Sequence, residues 1–259
     1  METSRDWEKL AQGMECLLRL KTFPVAFKLL KSRETLSDIP QLRRMKHKVT
    51  LCQLFTVVRT FGWTVGCDLD DIILLMCASI IGLTEVPENI KDGTMRGIFW
   101  TKTREDAKKC EEAIPRLPVG QHEAVLMAPL KHNIFDPDII LVYSNPAQMI
   151  LLINGLQFED YEVMEFYCVG ESSCSDVIAR CYLRKKPSLT IPCYGERRYG
   201  NAQDDELVMA LPAEMMEKAV NGLEALHKKG IRYPISYAGL QLDAAPSFPT
   251  PYKKDYVRK

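Results

Sequence analysis

Apolar positions recur along this chain with two periods, and the periods predict its elements. Trp7, Leu10, Met14, Leu17 and Leu18 stand at helical spacing, so residues 4–19 read as an amphipathic helix. Residues 22–30 read as a short strand with Pro24 near its start, where a missing donor is tolerated. Residues 31–48 are polar and basic (Arg43, Arg44, Lys46, His47, Lys48) and read as a solvated loop. Thr50 is an N-cap for a helix over 51–61 that ends before Gly62. Residues 69–82 are too uniformly apolar for a surface helix and read as a buried segment, whereas 104–114 reads as a surface helix stopped by Pro115. The continuous apolar runs 123–130 and 139–143 have the length of strands in a sheet's interior, with a turn at Asp136-Pro137-Asp138 between them. Asn145 then caps a helix with Pro146 at its first position, running to Gly155. A strand is expected over 162–169, and Ser172 as the N-cap of a helix through Val177, Ile178 and Cys181 to Lys185. Strands over 188–193 and 206–211 follow, and Pro212 starts a last amphipathic helix ending near Gly230.

Strands and helices alternate over most of this length, which predicts an α/β or α+β fold, a layered mixed sheet flanked by helices. Residues 1–230 are expected to form one domain beginning with the N-terminal helix. Residues 231–259, rich in proline and aromatics without periodicity, are expected to be an extended strap or a disordered tail. Composition changes this picture only by exclusion. Thirty-four acidic residues balance 34 basic ones, which removes the electrostatic case for nucleic acid or an anionic membrane. No apolar stretch is long enough to span a bilayer and the N-terminus lacks a signal-peptide core, so a cytoplasmic protein is expected. Apolar helices and the tail make a homo-oligomer the expectation on general grounds.

The candidate chemistry lies in the cysteines and in one stretch, Pro192-Cys-Tyr-Gly-Glu-Arg-Arg-Tyr-Gly200, followed by the acids Asp204, Asp205 and Glu206. There are nine cysteines, an odd number with no CxxC pair, which argues against a disulfide framework and against zinc-ribbon or thioredoxin-type sites. Four stand out. Cys52 and Cys174 each fall in the expected first turn of a helix, Cys77 is followed by small residues, and Cys193 opens the glycine-arginine stretch. Four widely separated thiolates suit a [4Fe–4S] cluster, and suit zinc less because its structural ligands come in close pairs. Arg197 and Arg198 offer planar, bidentate donors for the acid group of a small acidic molecule. Glu196, Asp204, Asp205 and Glu206 could act as general acid or base, although salt bridging to those arginines in a surface turn is the plainer role for each. No GxGxxG or Walker loop is present.

The chain resembles the uncharacterised ArCR-like proteins, a prokaryotic family of unknown function. The matching segments are Pro24-Val-Ala26, Cys52-Gln53, Cys77 with its trailing small residues and Gly82, Ala128-Pro-Leu130, Pro137-Asp138, Ala147-Gln148, Cys174-Ser-Asp176, Pro192 to Arg198, and Asp205-Glu206, together covering roughly residues 20–225. Glu196 stands where that pattern usually has aspartate, and Cys67 has no counterpart in it. The resemblance implies that Cys52, Cys77, Cys174 and Cys193 are family positions and that Cys16, Cys67, Cys110, Cys168 and Cys181 need not be. It implies no reaction.

Three functions follow as expectations. The first is an iron–sulfur enzyme of anaerobic metabolism, a lyase, dehydratase or redox enzyme, with the four cysteines holding the cluster. In it, Arg197 and Arg198 bind the substrate's acid group and Glu196 or Glu206 moves a proton. The second is a non-catalytic protein that binds a small acid and merely buries its cysteines. The third is metal-free thiol chemistry at Cys193, which has thin support because none of His47, His122, His132 and His227 flanks a cysteine.

Overall fold

A computed structural model describes residues 5–236 and 248–255. Its centre is a six-stranded sheet: β1 (Val25–Leu30), β2 (Val65–Asp68), β3 (Ala124–Pro129), β4 (Ile139–Ser144), β5 (Ser188–Thr190) and β6 (Leu207–Pro212). The order across the sheet is β2-β3-β1-β4-β6-β5, and every pairing between these strands is antiparallel. The layered α/β architecture is therefore present, with helices on both faces. That is why the strands read as unbroken apolar runs although neighbouring strands run in opposite directions: neither face of the central strands meets water.

Alternation along each strand divides the core in two. Val25, Phe27, Val125, Met127, Ile139, Leu141, Tyr143, Val208 and Ala210 face one layer of helices, formed by Leu51–Phe61, Leu75–Ile80 and Ser172–Arg184. Ala26, Ile140, Val142, Met209 and Leu211 face the other, formed by Trp7–Leu18, Pro146–Leu156 and Met216–Lys228.

The caps expected from sequence are in place. Thr50 Oγ1 accepts from Gln53 N at 3.1 Å, and Gln53 Oε1 accepts from Thr50 N at 2.9 Å, a reciprocal capping box. Asn145 and Gln148 form another. Gln148 Nε2 then donates to Leu18 O at 2.8 Å and Arg19 O at 3.0 Å, which satisfies the last carbonyls of the N-terminal helix.

Four expectations are corrected. Residues 162–169 form no strand; a single bridge joins Phe166 to Leu189, and Glu162 and Glu165 instead pair outward with Lys186, Arg180 and Arg184. Ser172 is not an N-cap but the first residue of its helix, because its hydroxyl is engaged elsewhere (below). The basic segment 31–48 holds a 3-10 helix, Arg33–Asp38, whose Leu36 packs with Leu42 against Gly66 of β2. In the tail, Thr250–Asp255 is helical, and Tyr233 packs on the second core and accepts a hydrogen bond from Asn145 Nδ2 at 3.1 Å. The tail residues 237–247 and 256–259 lie outside the described residues.

The tightest helix contact is between Gly155 and Gly222, where a Cβ on Gly222 would lie 1.9 Å from Gly155 O. Only the missing side chain lets the Pro146–Leu156 and Met216–Lys228 helices approach so closely. Gly222→Ala is expected to lower stability by about 1–3 kcal/mol, the usual cost of overpacking, read as a fall in the midpoint of urea unfolding.

Candidate functional site

Tyr143 of β4 points into the first helical layer, and a buried polar site is built around its hydroxyl. The hydroxyl donates to Glu196 Oε1. Ser173 Oγ also donates to Oε1, at 2.5 Å, and Ser172 Oγ donates to Oε2. Glu196 is 1% exposed, so these three hydroxyls replace water around its carboxylate. Burial, with the Glu196 charge next, pushes the Tyr143 phenol well above its ordinary range, so Tyr143 stays protonated as a donor. Ser172 Oγ in turn accepts from Cys193 N at 2.9 Å.

The stretch Pro192–Gly200, expected as a loop, is a short helix over Tyr194–Gly200 with Cys193 at its N-cap. Its buried side carries Glu196 and Gly200, one turn apart. A Cβ on Gly200 would sit 3.0 Å from Cys52 Cβ and 3.0 Å from Cys52 O, so glycine is what lets this helix lie on the first turn of Leu51–Phe61. Thr56 Oγ1 donates to Gly200 O across the same contact.

The four singled-out cysteines meet here. Each sits at or within the first turn of a different helix: Cys52 in Leu51–Phe61, Cys77 in Leu75–Ile80, Cys174 in Ser172–Ala179, and Cys193 at the N-cap of Tyr194–Gly200. Cys174 lies beside Cys77, and it also feels Cys52 and Cys193. The contact with Cys77, then burial, then the neighbouring sulfurs push the Cys174 thiol well above its ordinary range. Burial does the same to Cys52, reinforced by Glu196, Cys77 and Cys193. Burial also raises Cys193, while its hydrogen bond with Ser172 pulls it back. Burial therefore disfavours the thiolate form at Cys52, Cys174 and Cys193 unless a cation compensates the charge. Cys174 rides on a π-helix, in which Asp176 N bonds Glu171 O five residues back at 3.0 Å. Cys67 and Cys181 are buried in the same core but feel other charged groups, and Cys16 and Cys168 are exposed. Among the described residues, no three or more His, Cys, Asp or Glu side chains are arranged to hold a single metal ion.

The charged candidates separate. Glu206 pairs with neither Arg197 nor Arg198. It forms a two-pronged bridge with Arg59, at 2.7 and 3.0 Å, with Arg59 3% exposed. Arg59 also donates to Asn201 O at 3.1 Å and lies 4.2 Å over the Tyr143 ring. The guanidinium of Arg197 is taken up by Pro192 O at 3.1 Å and Gln203 O at 2.7 Å, with the exposed Asp204 at 3.5 Å. Asp205 pairs at the surface with Lys21. Arg198 is exposed. Arg59, Tyr143, Ser172 and Ser173 are the site residues that reading the sequence missed. Arg59 falls on the helical repeat of apolar positions Phe55 and Val58, and a charge on that buried stripe was the available signal. An open cavity of about 100 Å³ between Leu156, Met164, Arg180 and Met215 is lined by no cysteine, and its Arg180 already pairs with Glu165.

The Arg59–Glu206 bridge generates a stability prediction. Arg59→Met leaves the Glu206 carboxylate buried without its partner and is expected to cost about 3–5 kcal/mol. The double variant Arg59→Met/Glu206→Met is expected to recover most of that loss in chemical denaturation, because it leaves no orphaned charge.

A family model described as uncharacterised ArCR matches residues 13–222. An uncharacterised protein of Methanocaldococcus jannaschii is 28% identical over 230 residues, covering 86% of this chain and 96% of that protein. No solved structure matches the chain significantly.

Proposed function

Since the chain belongs to the uncharacterised ArCR family, whose name specifies no reaction, we propose from the site itself that it is an iron–sulfur protein. In this reading Cys52, Cys77, Cys174 and Cys193 hold a [4Fe–4S] cluster beside a short helix that takes a small acidic substrate, in a lyase, dehydratase or redox reaction of anaerobic metabolism. The observation that carries the reading is the gathering of four cysteines from four separate segments at one buried place. Four cysteines from separate segments suit a cluster, which takes one thiolate at each iron. With all four cysteines bound, such a group would supply an electron; with one of them unbound, its open iron would supply a Lewis acid.

The chain's own residues supply the rest. Ser172 holds the Cys193 main chain in place, and Gly200 sets the distance between the Cys52 and Cys193 helices. Three apolar layers exclude water: Leu51 and Leu54 from one helix, Ala78 and Ile80 from the next, and Val177 and Ile178 from the third. Glu196, hydrogen bonded on both oxygens, acts electrostatically on Cys52 and Cys193 and is the candidate for moving a proton there. Glu206, bridged to Arg59, is the weaker candidate for the same task.

A non-catalytic acid-binding protein is the second reading. It is favoured by the neutral state that burial imposes on Cys52, Cys174 and Cys193 when no cation is present.

Protein made without oxygen decides between them. The first reading expects a brown sample with iron and acid-labile sulfide in near-equal amounts and broad visible absorbance. Cys52→Ser, Cys77→Ser and Cys174→Ser are each expected to lower iron content, whereas Cys67→Ser and Cys181→Ser, equally buried, leave it unchanged. A colourless, iron-free protein whose cysteine variants differ only in stability supports the second.

A further inference from the structure

The outer side of the Tyr194–Gly200 helix has an opening over one sulfur of the site. Gly195 carries no side chain, and beyond its chain neighbours and its own helix backbone a methyl group built on it would meet only Cys193 Sγ, at 3.9 Å. Cys52, Cys77 and Cys174 are 6%, 5% and 5% exposed, whereas Cys193 is only half-buried. Of the four cysteines, the one under this opening is thus the least buried.

The same helix places a cation beside the opening. Arg198 follows Gly195 by three residues, which makes the two positions neighbours on the helix surface, about 5–6 Å apart. Arg197 is held by the carbonyls of Pro192 and Gln203 and has little left to offer a ligand. Arg198 is exposed; it touches the Tyr194 hydroxyl at 3.5 Å and lies 5.9 Å over the Tyr199 ring. No carboxylate among the described residues pairs with it, in contrast to Arg44, Arg59, Arg96, Arg104, Arg116 and Arg180. Trp100 packs edge-on against Tyr194, ring centres 5.5 Å apart.

We propose that Gly195 and Arg198 form the entrance of the site: Gly195 keeps the approach to Cys193 Sγ clear, and Arg198, not Arg197, selects for a carboxylate. The inference rests on the reading that the site takes a small acid, and it holds with or without a cluster. The selected molecule is a small carboxylate, short enough to touch the sulfur while its acid group stays one helical turn away.

Alkylation of the metal-free full chain with iodoacetate and iodoacetamide, followed at each cysteine by peptide mass spectrometry, tests it. In both reactions the sulfur forms a bond to carbon, iodide leaves with the electron pair, and the thiol proton passes to buffer; the reagents differ in charge. Cys193 is expected to react at least about tenfold faster than Cys52, Cys77 or Cys174, given their exposure. Arg198→Ala is expected to slow iodoacetate at Cys193 by about threefold or more while leaving iodoacetamide unchanged, the effect of one nearby charge on an anion, and added salt should erase the difference. Gly195→Ala, where the new methyl makes an ordinary contact, is expected to slow both reagents alike with the melting temperature preserved. Equal effects of Arg198→Ala on both reagents, or none, overturn the selection. Unchanged rates in Gly195→Ala overturn the entrance. These rates are measured without iron, so an iron-free protein refutes the cluster and leaves the entrance to stand or fall by itself.

Discussion

A carboxylate that loses contact with water must be hydrogen bonded on both oxygens or the fold is destabilised by it. Glu196 meets that demand by drawing hydroxyls from two directions, Tyr143 from the sheet and Ser172 and Ser173 from the π-helix. Three elements are thereby tied to one point. Because Ser172 also accepts from Cys193 N, the tie extends to the cysteine that opens the Tyr194–Gly200 helix. Removing the carboxylate would leave the Ser172 hydroxyl without its acceptor and Tyr143 and Ser173 with only each other, so the polar network and the cysteine arrangement are a single construction.

A second buried charge pair stands behind the first. Arg59 reaches from the helix that carries Cys52 to Glu206, at the start of β6, and its guanidinium covers the Tyr143 ring on the way. Glu206 Oε2 also accepts from Gln203 N at 2.8 Å, which holds the turn after the Cys193 helix against the domain. The two carboxylates differ in partner. One is held by neutral hydroxyls and the other by a cation, and only the first lies close enough to oppose ionisation of Cys52.

All of this lies on one face of the sheet. The opposite layer, with Trp7–Leu18, Pro146–Leu156 and Met216–Lys228, is packed by apolar side chains and the Gly155–Gly222 contact, with few polar insertions. The division has a simple physical cause: alternate residues of β1, β4 and β6 point to opposite layers, so one strand can contribute Tyr143 to a polar site and Val142 to a dry core.

The sequence by itself determined the layered α/β fold, the strands β1, β3, β4 and β6, and the capped starts of the Leu51–Phe61 and Pro146–Leu156 helices. These depend on short-range patterns: period-two and period-3.6 burial, and side chains that cap the amides three residues on. It also singled out four cysteines, Cys52 and Cys174 by their places at expected helix starts, Cys77 by the small residues after it and Cys193 by the glycine-arginine stretch it opens. It misjudged 162–169 and Pro192–Gly200, where one local pattern serves two conformations and contacts with distant segments choose between them: ion pairs drew Glu162 and Glu165 outward, and docking on Cys52 made a helix of the glycine-arginine stretch. Only the tertiary structure decided that Glu206 belongs to Arg59, that Glu196 belongs to three hydroxyls, and that Arg198, unlike Arg197, lies exposed. Those pairings join residues 23–147 positions apart, and nothing in the local order of the chain encodes which distant partner a charge will meet.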